Sequence, residues 1–531
     1  MRTFHSYGPV DSAEHYSVER KDLVDQCTNQ LIGNIKKGGH YFTIWGSRQT
    51  GKTWIVEQSV NKISRQYKDQ FKVAYLSMQG FSDEEQSNLS ERFFEHWPRL
   101  IEDEFYLKTG KITSWDEWMD LFSRQRGIFD TPVILLIDEF DKLHTQLINQ
   151  LVSLFREMYL KRKNYYLHGL ALIGVRSVLG VDNKSGSPFN IQRSLHIENL
   201  TFDEVKNMFD QYHEESNQNI EADVVKNLFE KTQGQPGLVG WFGELLTEKY
   251  NQEPDLPIDI KRWNFVYANA CEIEHNNTVR NMIIKARNEF KHSIIKLFTD
   301  SNIHFSFNYD WCNYMYMHGL IGYEMVQENN QVYHVCCFSS PFIQTCLYSA
   351  FVGEIKENQD RSMIALEPLD TLDDVFNGPD LNIPALLSRY KNYLKRMKES
   401  GEDLWKDQPR RKSDFHLTEA VGHFHLYHWL IMALRKRCII RPEFPTGNGK
   451  VDLHLLCKDD KKGLIEVKSF VNAYEVKESI TQAAKYASKT NHSSVSIALF
   501  APFTDENVLT QLSRTETIDD VTVTVVAIGQ G

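Results

Sequence analysis

The chain has 531 residues, with 60 Lys and Arg against 71 Asp and Glu, for a formal net charge of −11 at pH 7. Hydrophobic residues make up 41% and charged residues 25%, a balance too apolar for disorder and ordinary for a globular protein. At roughly 100–200 residues per domain the length predicts about three to five domains, and no apolar run approaches the roughly 18 residues of a membrane span.

The opening Met1–Tyr7 lacks the charged-then-apolar layout of a secretory signal. Residues 15–200 then alternate short apolar runs with amphipathic stretches. The runs are Tyr41–Trp45, Phe71–Leu76, Val133–Ile137 and Gly169–Gly174, read as buried parallel strands, with a helix over Gln146–Tyr159 between the last two. This pattern predicts an α/β fold with helices on both faces of a parallel sheet. From 201 to 254 the pattern turns helical, opening on a capping box at Thr201-Phe202-Asp203-Glu204. Residues 255–355 add helices and a hairpin of Gly322–Gln327 with Val332–Val335, an order that suggests a winged helix. Residues 356–385 are polar and contain Gly378-Pro379, which marks a linker, and 386–531 read as helix, hairpin, helix and strand.

Gly46-Ser47-Arg48-Gln49-Thr50-Gly51-Lys52-Thr53 matches G-x-x-x-x-G-K-[ST] between a strand and a helix. The chemistry needs these residue types. The glycines let the backbone turn several N–H groups onto one phosphate, Lys52 adds a point charge, and the Thr53 hydroxyl ligates Mg²⁺. The run Ile134–Ile137 delivers Asp138 to the C-terminal end of a strand, where open α/β sheets bind ligands. Asp138 is expected to hold Mg²⁺ through water, Glu139 to polarise the attacking water, and Asp141 to cap a helix. Arg20, in Val18-Glu19-Arg20, precedes the first strand; Arg176 follows the strand ending near Val175; Pro236 stands in Gly234-Gln235-Pro236.

This set of elements in this order resembles the STAND and archaeal-type branch of AAA-related ATPases over residues 15–350. The resemblance implies ATP as cofactor, Arg20 and Pro236 near the nucleotide, and Arg176 as a cation that reports the γ-phosphate. It also implies sites commonly shared between subunits of a homo-oligomer, although no arginine finger is identified. An N-K-x-D specificity motif is missing, since Asn183-Lys184-Ser185-Gly186 does not match it, which favours ATP over GTP.

A second constellation lies near the C-terminus. Asp452 and the pair Glu466 and Lys468 fall on two alternating stretches joined by the polar turn 458–462. Pairing across that turn brings the two carboxylates together, and the strand period of two puts Glu466 and Lys468 on one face. Such a cluster is costly to bury unless a divalent cation binds between the acids. The spacing resembles the PD-(D/E)xK nuclease superfamily, extended by Glu419 in the preceding helix and by Gln482 and Tyr486 as the Q-x-x-x-Y of the RecB-type branch. What this implies is a Mg²⁺ or Mn²⁺ site held by Asp452, Glu466 and Glu419, with Lys468 orienting the attacking water or stabilising the transition state. His423, His425 and His428 read as helix-face residues within reach of phosphate. The basic stretch 389–412, with Tyr390, Tyr393 and Trp405 interleaved, reads as a phosphate-tracking surface with stacking partners.

Cysteine usage fits the same picture. The eight cysteines contain no C-x-x-C pair, which argues against a disulfide framework or thiolate zinc and points to the reducing cytoplasm. An acidic total describes average repulsion, and binding depends on local patches, so nucleic acid remains open as a partner. The combined expectation is a cytoplasmic ATP-driven switch that controls a metal-dependent nuclease acting on DNA, in the manner of prokaryotic defence systems. The competing expectation is a non-catalytic DNA-binding or signalling ATPase whose C-terminal domain only docks nucleic acid.

Overall fold

The computed structural model describes the chain apart from residues 69, 82–88, 175–193, 299–302, 329–330, 358–364, 367–369, 379, 402–403, 406–418, 436, 444–451, 458–460, 471, 490–491 and 531. The chain divides into two compact units: Met1–Ile273 with Met317–Gly319, and Glu274–Tyr316 with Leu320–Gly531. Among the described residues no helix is long and apolar enough to cross a membrane.

The first unit is built on a parallel sheet. Its strands are β1 (Tyr41–Trp45), β2 (Lys72–Ser77), β3 (Val133–Asp138), β4 (Leu167–Gly174) and β5 (Ser194–His196), in the order β2-β3-β4-β1-β5. Four of these lie where the apolar runs predict, with ends shifted by one or two residues. The strand β5 was not legible, because three residues carry too short a pattern. Helices α1 (Lys21–Ile32), α2 (Lys52–Gln66), α3 (Leu89–Phe105), α4 (Trp115–Asp120) and α5 (Thr145–Leu160) surround the sheet. One core joins Ile55, Val56 and Ile63 of α2 to Phe42, Ile44, Ile134 and Leu136. The other joins Leu135 and Ile137 to an aromatic group containing Phe93, Trp97, Trp118 and Phe155. All six residues of β3 are buried, the expected signature of a central parallel strand. At about 1.5–3 kcal/mol for each fully buried aliphatic side chain, this row is a main source of the unit's stability.

Helices α6 (Phe202–Ser216), α7 (Ala222–Thr232), α8 (Pro236–Glu244) and α9 (Ile260–Glu272) complete the unit. The predicted capping box is present: Glu204 N donates to Thr201 Oγ1 at 3.2 Å and Thr201 N donates to Glu204 Oε2 at 2.8 Å. Asp141 does not cap a helix. It lies in a short 3₁₀ turn, and His144 caps α5 through Gln146 N.

The second unit begins with α10 (Asn277–Asn288), α11 (Lys291–Leu297) and α12 (Asp310–Met317). A hairpin of β6 (Ile321–Glu328) and β7 (Gln331–Phe338) and the helix α13 (Pro341–Glu357) follow. After α14 (Asp373–Phe376) and α15 (Ile383–Glu399), the order is α16 (Glu419–Leu434), β8 (Cys438–Glu443), β9 (Asp452–Cys457), β10 (Lys462–Ser469), α17 (Ala473–Lys489) and β11 (Ser494–Ala501). The unit ends with α18 (Glu506–Leu512), β12 (Arg514–Ile518) and β13 (Val521–Gly529). The six strands form one mixed sheet, β12-β13-β11-β10-β9-β8, with β10, β11 and β13 parallel.

Three expectations fail here for one reason, namely which face a side chain occupies. Tyr390, Tyr393 and Trp405 are not stacking partners on a surface, because all three are buried in the core with Leu386, Leu394 and Trp429. Basic residues of α15 are engaged locally, Arg389 with Asp374 at 2.8 Å and Arg396 with Asp370 at 2.9 Å. His423, His425 and His428 are likewise buried: Tyr348 meets His423, and the Tyr390 hydroxyl lies 2.6 Å from His425 Nδ1. Within the expected linker, Ala365, Leu372, Val375, Leu381 and Ile383 enter the same core. Against the expectation drawn from cysteine spacing, Cys438 and Cys457 form a disulfide, because strand register makes them partners on β8 and β9.

Burial, followed by the neighbouring His428, pushes the His425 imidazole down to about 3. The folded state is therefore the weaker proton binder at this position. Its stability is whole above about pH 6.5, the ordinary imidazole value, and falls as pH drops towards 3. Denaturant melts from pH 7 to pH 4 should show a shallower pH dependence for His425→Gln than for the parent chain. Equal slopes would remove His425 as the cause.

Candidate functional site

The nucleotide loop leaves β1 and turns directly into α2. Gly51 sits at φ +86°, a left-handed conformation that disfavours other residues. Gly46 approaches the chain so closely that a Cβ would stand 2.6 Å from the Ile197 carbonyl oxygen. Thr50 Oγ1 donates to Ser47 O at 3.0 Å and fixes the tight middle of the loop. Lys52 Nζ donates to Gly46 O at 3.0 Å and Ser47 O at 2.6 Å, which places the ammonium over the loop. Burial pushes Lys52 down to about 8, against the pull of Asp138 and Asp141.

Asp138 ends β3 beside this loop. Its Oδ1 accepts from Glu139 N at 2.7 Å, and its Oδ2 accepts from the Tyr75 hydroxyl at 2.5 Å and from Thr53 Oγ1 at 3.4 Å. Thr53 and Asp138 thus present oxygens to one place, the donor set a hard divalent cation requires. Glu139 adopts φ +52°, a strained conformation for a non-glycine residue, and its carboxylate pairs with Lys142 at 3.1 Å. Strain of that kind concentrates at functional sites.

Helix α8 starts on the loop itself. Gln235 Nε2 donates to Arg48 O at 3.2 Å, and Gly237 N donates to Gln49 O at 3.3 Å. Pro236 occupies the first turn of α8, where its missing N–H removes no helix bond. Arg20 donates to Glu198 O at 2.6 Å and Asn199 O at 3.2 Å, and pairs with Glu204 at 3.2 Å. Arg176 lies outside the described residues.

With this geometry in place, comparison with known proteins adds a family match for the first unit. Residues 5–253 match the family described as an AAA-like domain. That match, with a complete nucleotide loop and Asp138 beside Thr53, supports ATP binding and P-loop ATPase function for the first unit. No curated protein matches the chain. Among solved structures, the Walker-type ATPase PABY2304 of Pyrococcus abyssi is 13% identical, with 65% of this chain and 99% of that chain covered and a TM-score of 0.40. The RuvB Holliday-junction branch-migration motor of Thermotoga maritima is 10% identical, covering 60% and 92%, with a TM-score of 0.31. The Aeropyrum pernix ORC1 protein in complex with DNA is 11% identical, covering 64% and 94%, with a TM-score of 0.31.

The second constellation lies in the mixed sheet. Asp452 and Glu466 are register partners across β9 and β10, as the turn predicts. Lys468 Nζ lies 2.9 Å from Glu466 Oε1 and 3.7 Å from Glu419 Oε1 at the start of α16. Glu466 is buried, at 6% exposure. Tyr486, on α17 one turn after the exposed Gln482, has its hydroxyl 3.2 Å from His454 Nε2. His454 follows Asp452 by two residues on β9. Among the described side chains, which do not include that of Asp452, no group of three His, Cys, Asp or Glu gathers as a metal cluster.

Sequence reasoning missed Tyr75, Lys142 and His454, each of which touches a residue it named. The signal for Tyr75 is its parity with Ser77, the register partner of Asp138. Two substitutions test the nucleotide site. Lys52→Ala should weaken ATP binding more than about tenfold, since it removes a charge-assisted phosphate contact. Glu139→Gln should hold ATP affinity within about twofold while hydrolysis falls roughly 100-fold or more, the scale of a lost general base. Equilibrium binding of a fluorescent nucleotide and phosphate release check both.

Proposed function

We propose that this chain is an ATP-gated nuclease. In this reading the first unit binds and hydrolyses ATP with Mg²⁺, in the manner of a STAND-like switch. The second unit cleaves phosphodiester bonds of nucleic acid, DNA in preference to RNA, with Mg²⁺ or Mn²⁺. The observation that supports the cleavage site is the convergence of Glu466, Lys468 and Glu419 around a buried carboxylate, with Asp452 in register opposite Glu466. Carboxylates on neighbouring strand positions suit a divalent cation, which lowers the pKa of a bound water and neutralises the scissile phosphate. Lys468 then faces the charge that develops in the transition state. Helices α10–α12 followed by the β6–β7 hairpin support a winged-helix element between the two chemistries. The biological setting that suits such a combination is cytoplasmic defence against foreign DNA, with nucleotide sites shared in a homo-oligomer.

A second reading keeps the ATPase but makes the C-terminal fold a docking module. It is favoured by the saturation of Lys468 by two carboxylates, an arrangement that also suits a purely structural ion cluster. Cleavage assays separate the two readings, with plasmid, linear and single-stranded DNA and RNA tested against Mg²⁺ or Mn²⁺ with ATP, ADP or a non-hydrolysable analogue. The nuclease reading expects cleavage by the parent chain that Asp452→Ala lowers at least about 100-fold while ATP turnover stays within about twofold, the scale of a lost metal site. Intact nucleic acid under every condition, with metal-independent binding, would establish the docking reading instead.

A further inference from the structure

We infer that Tyr75 is a positioning residue for Asp138, and that its hydroxyl sets the affinity of the nucleotide site for the divalent cation that accompanies the phosphates. No motif names this residue. It sits in Lys72-Val73-Ala74-Tyr75-Leu76-Ser77, a plain strand sequence, and it acts through the strand next door. In the parallel pairing of β2 with β3, Ser77 stands beside Asp138 and Tyr75 beside Leu136. The period of two therefore turns Tyr75 to the face on which Asp138 ends. Its ring packs with Val73 against the core that holds Ile134 and Leu136, while its hydroxyl emerges at the carboxylate.

Three donors share Asp138, and they differ in kind. Glu139 N, at 2.7 Å from Oδ1, is backbone and fixed by the turn that follows. Thr53 Oγ1, at 3.4 Å from Oδ2, is at the weak end of hydrogen bonding, so its hydroxyl is free to turn towards a cation. Tyr75, at 2.5 Å from the same oxygen, makes the short charge-assisted bond. Burial, and then the charge of Asp138, pushes the Tyr75 phenol well up, so the group remains a donor throughout the usable pH range. Glu57, one turn beyond Thr53 on α2, adds a further carboxyl, pushed up by burial and then by Asp138.

A division of labour follows. A carboxylate offers about four lone-pair positions, so Asp138 can keep Glu139 N and Tyr75 and still face a water of the metal. Tyr75 holds Oδ2 in direction while Thr53 changes partner. Without the phenol, Thr53 is the remaining side-chain donor to that oxygen, and the cation must draw it away from an under-bonded carboxylate. The effect should fall on the metal and spare the nucleotide's other contacts.

The test is the ADP-dependent part of Mn²⁺ binding to the full chain, read by electron paramagnetic resonance with and without ADP so that the C-terminal site is subtracted, beside ADP affinity measured with the metal chelated. Tyr75→Phe keeps the ring and removes the donor. Loss of an outer-shell partner typically weakens metal binding by roughly 10–100-fold, and a loss of at least about tenfold is expected, with metal-free ADP affinity unchanged. Tyr75→His, which retains a ring and an N–H, is expected to recover part of the loss, and it carries the test if the phenylalanine variant does not fold. Unchanged Mn²⁺ affinity in a folded variant would overturn the inference. So would a parallel fall in metal-free ADP affinity, which marks a packing role. The inference rests on the ATPase reading of the site, and the parent chain keeps the two apart. If ADP adds no Mn²⁺ binding to the parent, both fail; if it does and Tyr75→Phe gains equally, only the role of Tyr75 fails.

Discussion

A carboxylate at the end of a strand that water does not reach is the constraint on which the first unit depends. Val133 to Ile137 have no exposed surface, and Asp138 follows them at 8% exposure. An ionised group in that position is tolerable only when hydrogen bonds replace its lost hydration. The loop, α2 and β2 each supply one: the turn gives Glu139 N, α2 gives Thr53, and β2 gives Tyr75. The same burial that stabilises the sheet thus fixes the oxygen atoms that a nucleotide-bound cation would meet. Stability and site geometry have one source here.

The second unit meets the same problem with a different solution. Its buried Glu466 is compensated by Lys468, which lies between Glu466 and Glu419, and the buried His423 and His425 find tyrosine hydroxyls on α13 and α15. Helix α16 shows how completely burial governs the unit. Its first residue, Glu419, reaches the charged cluster, while His423, His425 and His428 face inward with Phe424, Leu426 and Trp429. Chemically rich residues therefore serve packing along one stretch of helix and polar chemistry at its end.

How much of this was legible follows from the physics of each signal. The runs at Tyr41–Trp45 and Val133–Ile137 were readable because a strand buried on both faces must be apolar whatever surrounds it. The nucleotide loop was readable because phosphate chemistry fixes residue types at fixed spacing, and the capping box because it is local. Tyr390, Tyr393 and Trp405 were misread because basic neighbours drew attention from periodicity. Leu386, Leu387, Tyr390, Tyr393 and Leu394 recur at helical spacing and form the buried stripe of α15. The pairings of Tyr75 with Asp138 and of Cys438 with Cys457 depend on strand register, which no single stretch of sequence contains.

Glu204 carries two attachments with its two oxygens. One closes the N-terminal cap of α6 through Thr201, and the other receives Arg20, at the N-cap of α1. The two helices therefore share a single joint, and α6 cannot rotate about its first turn without loosening both its own cap and the entry to α1.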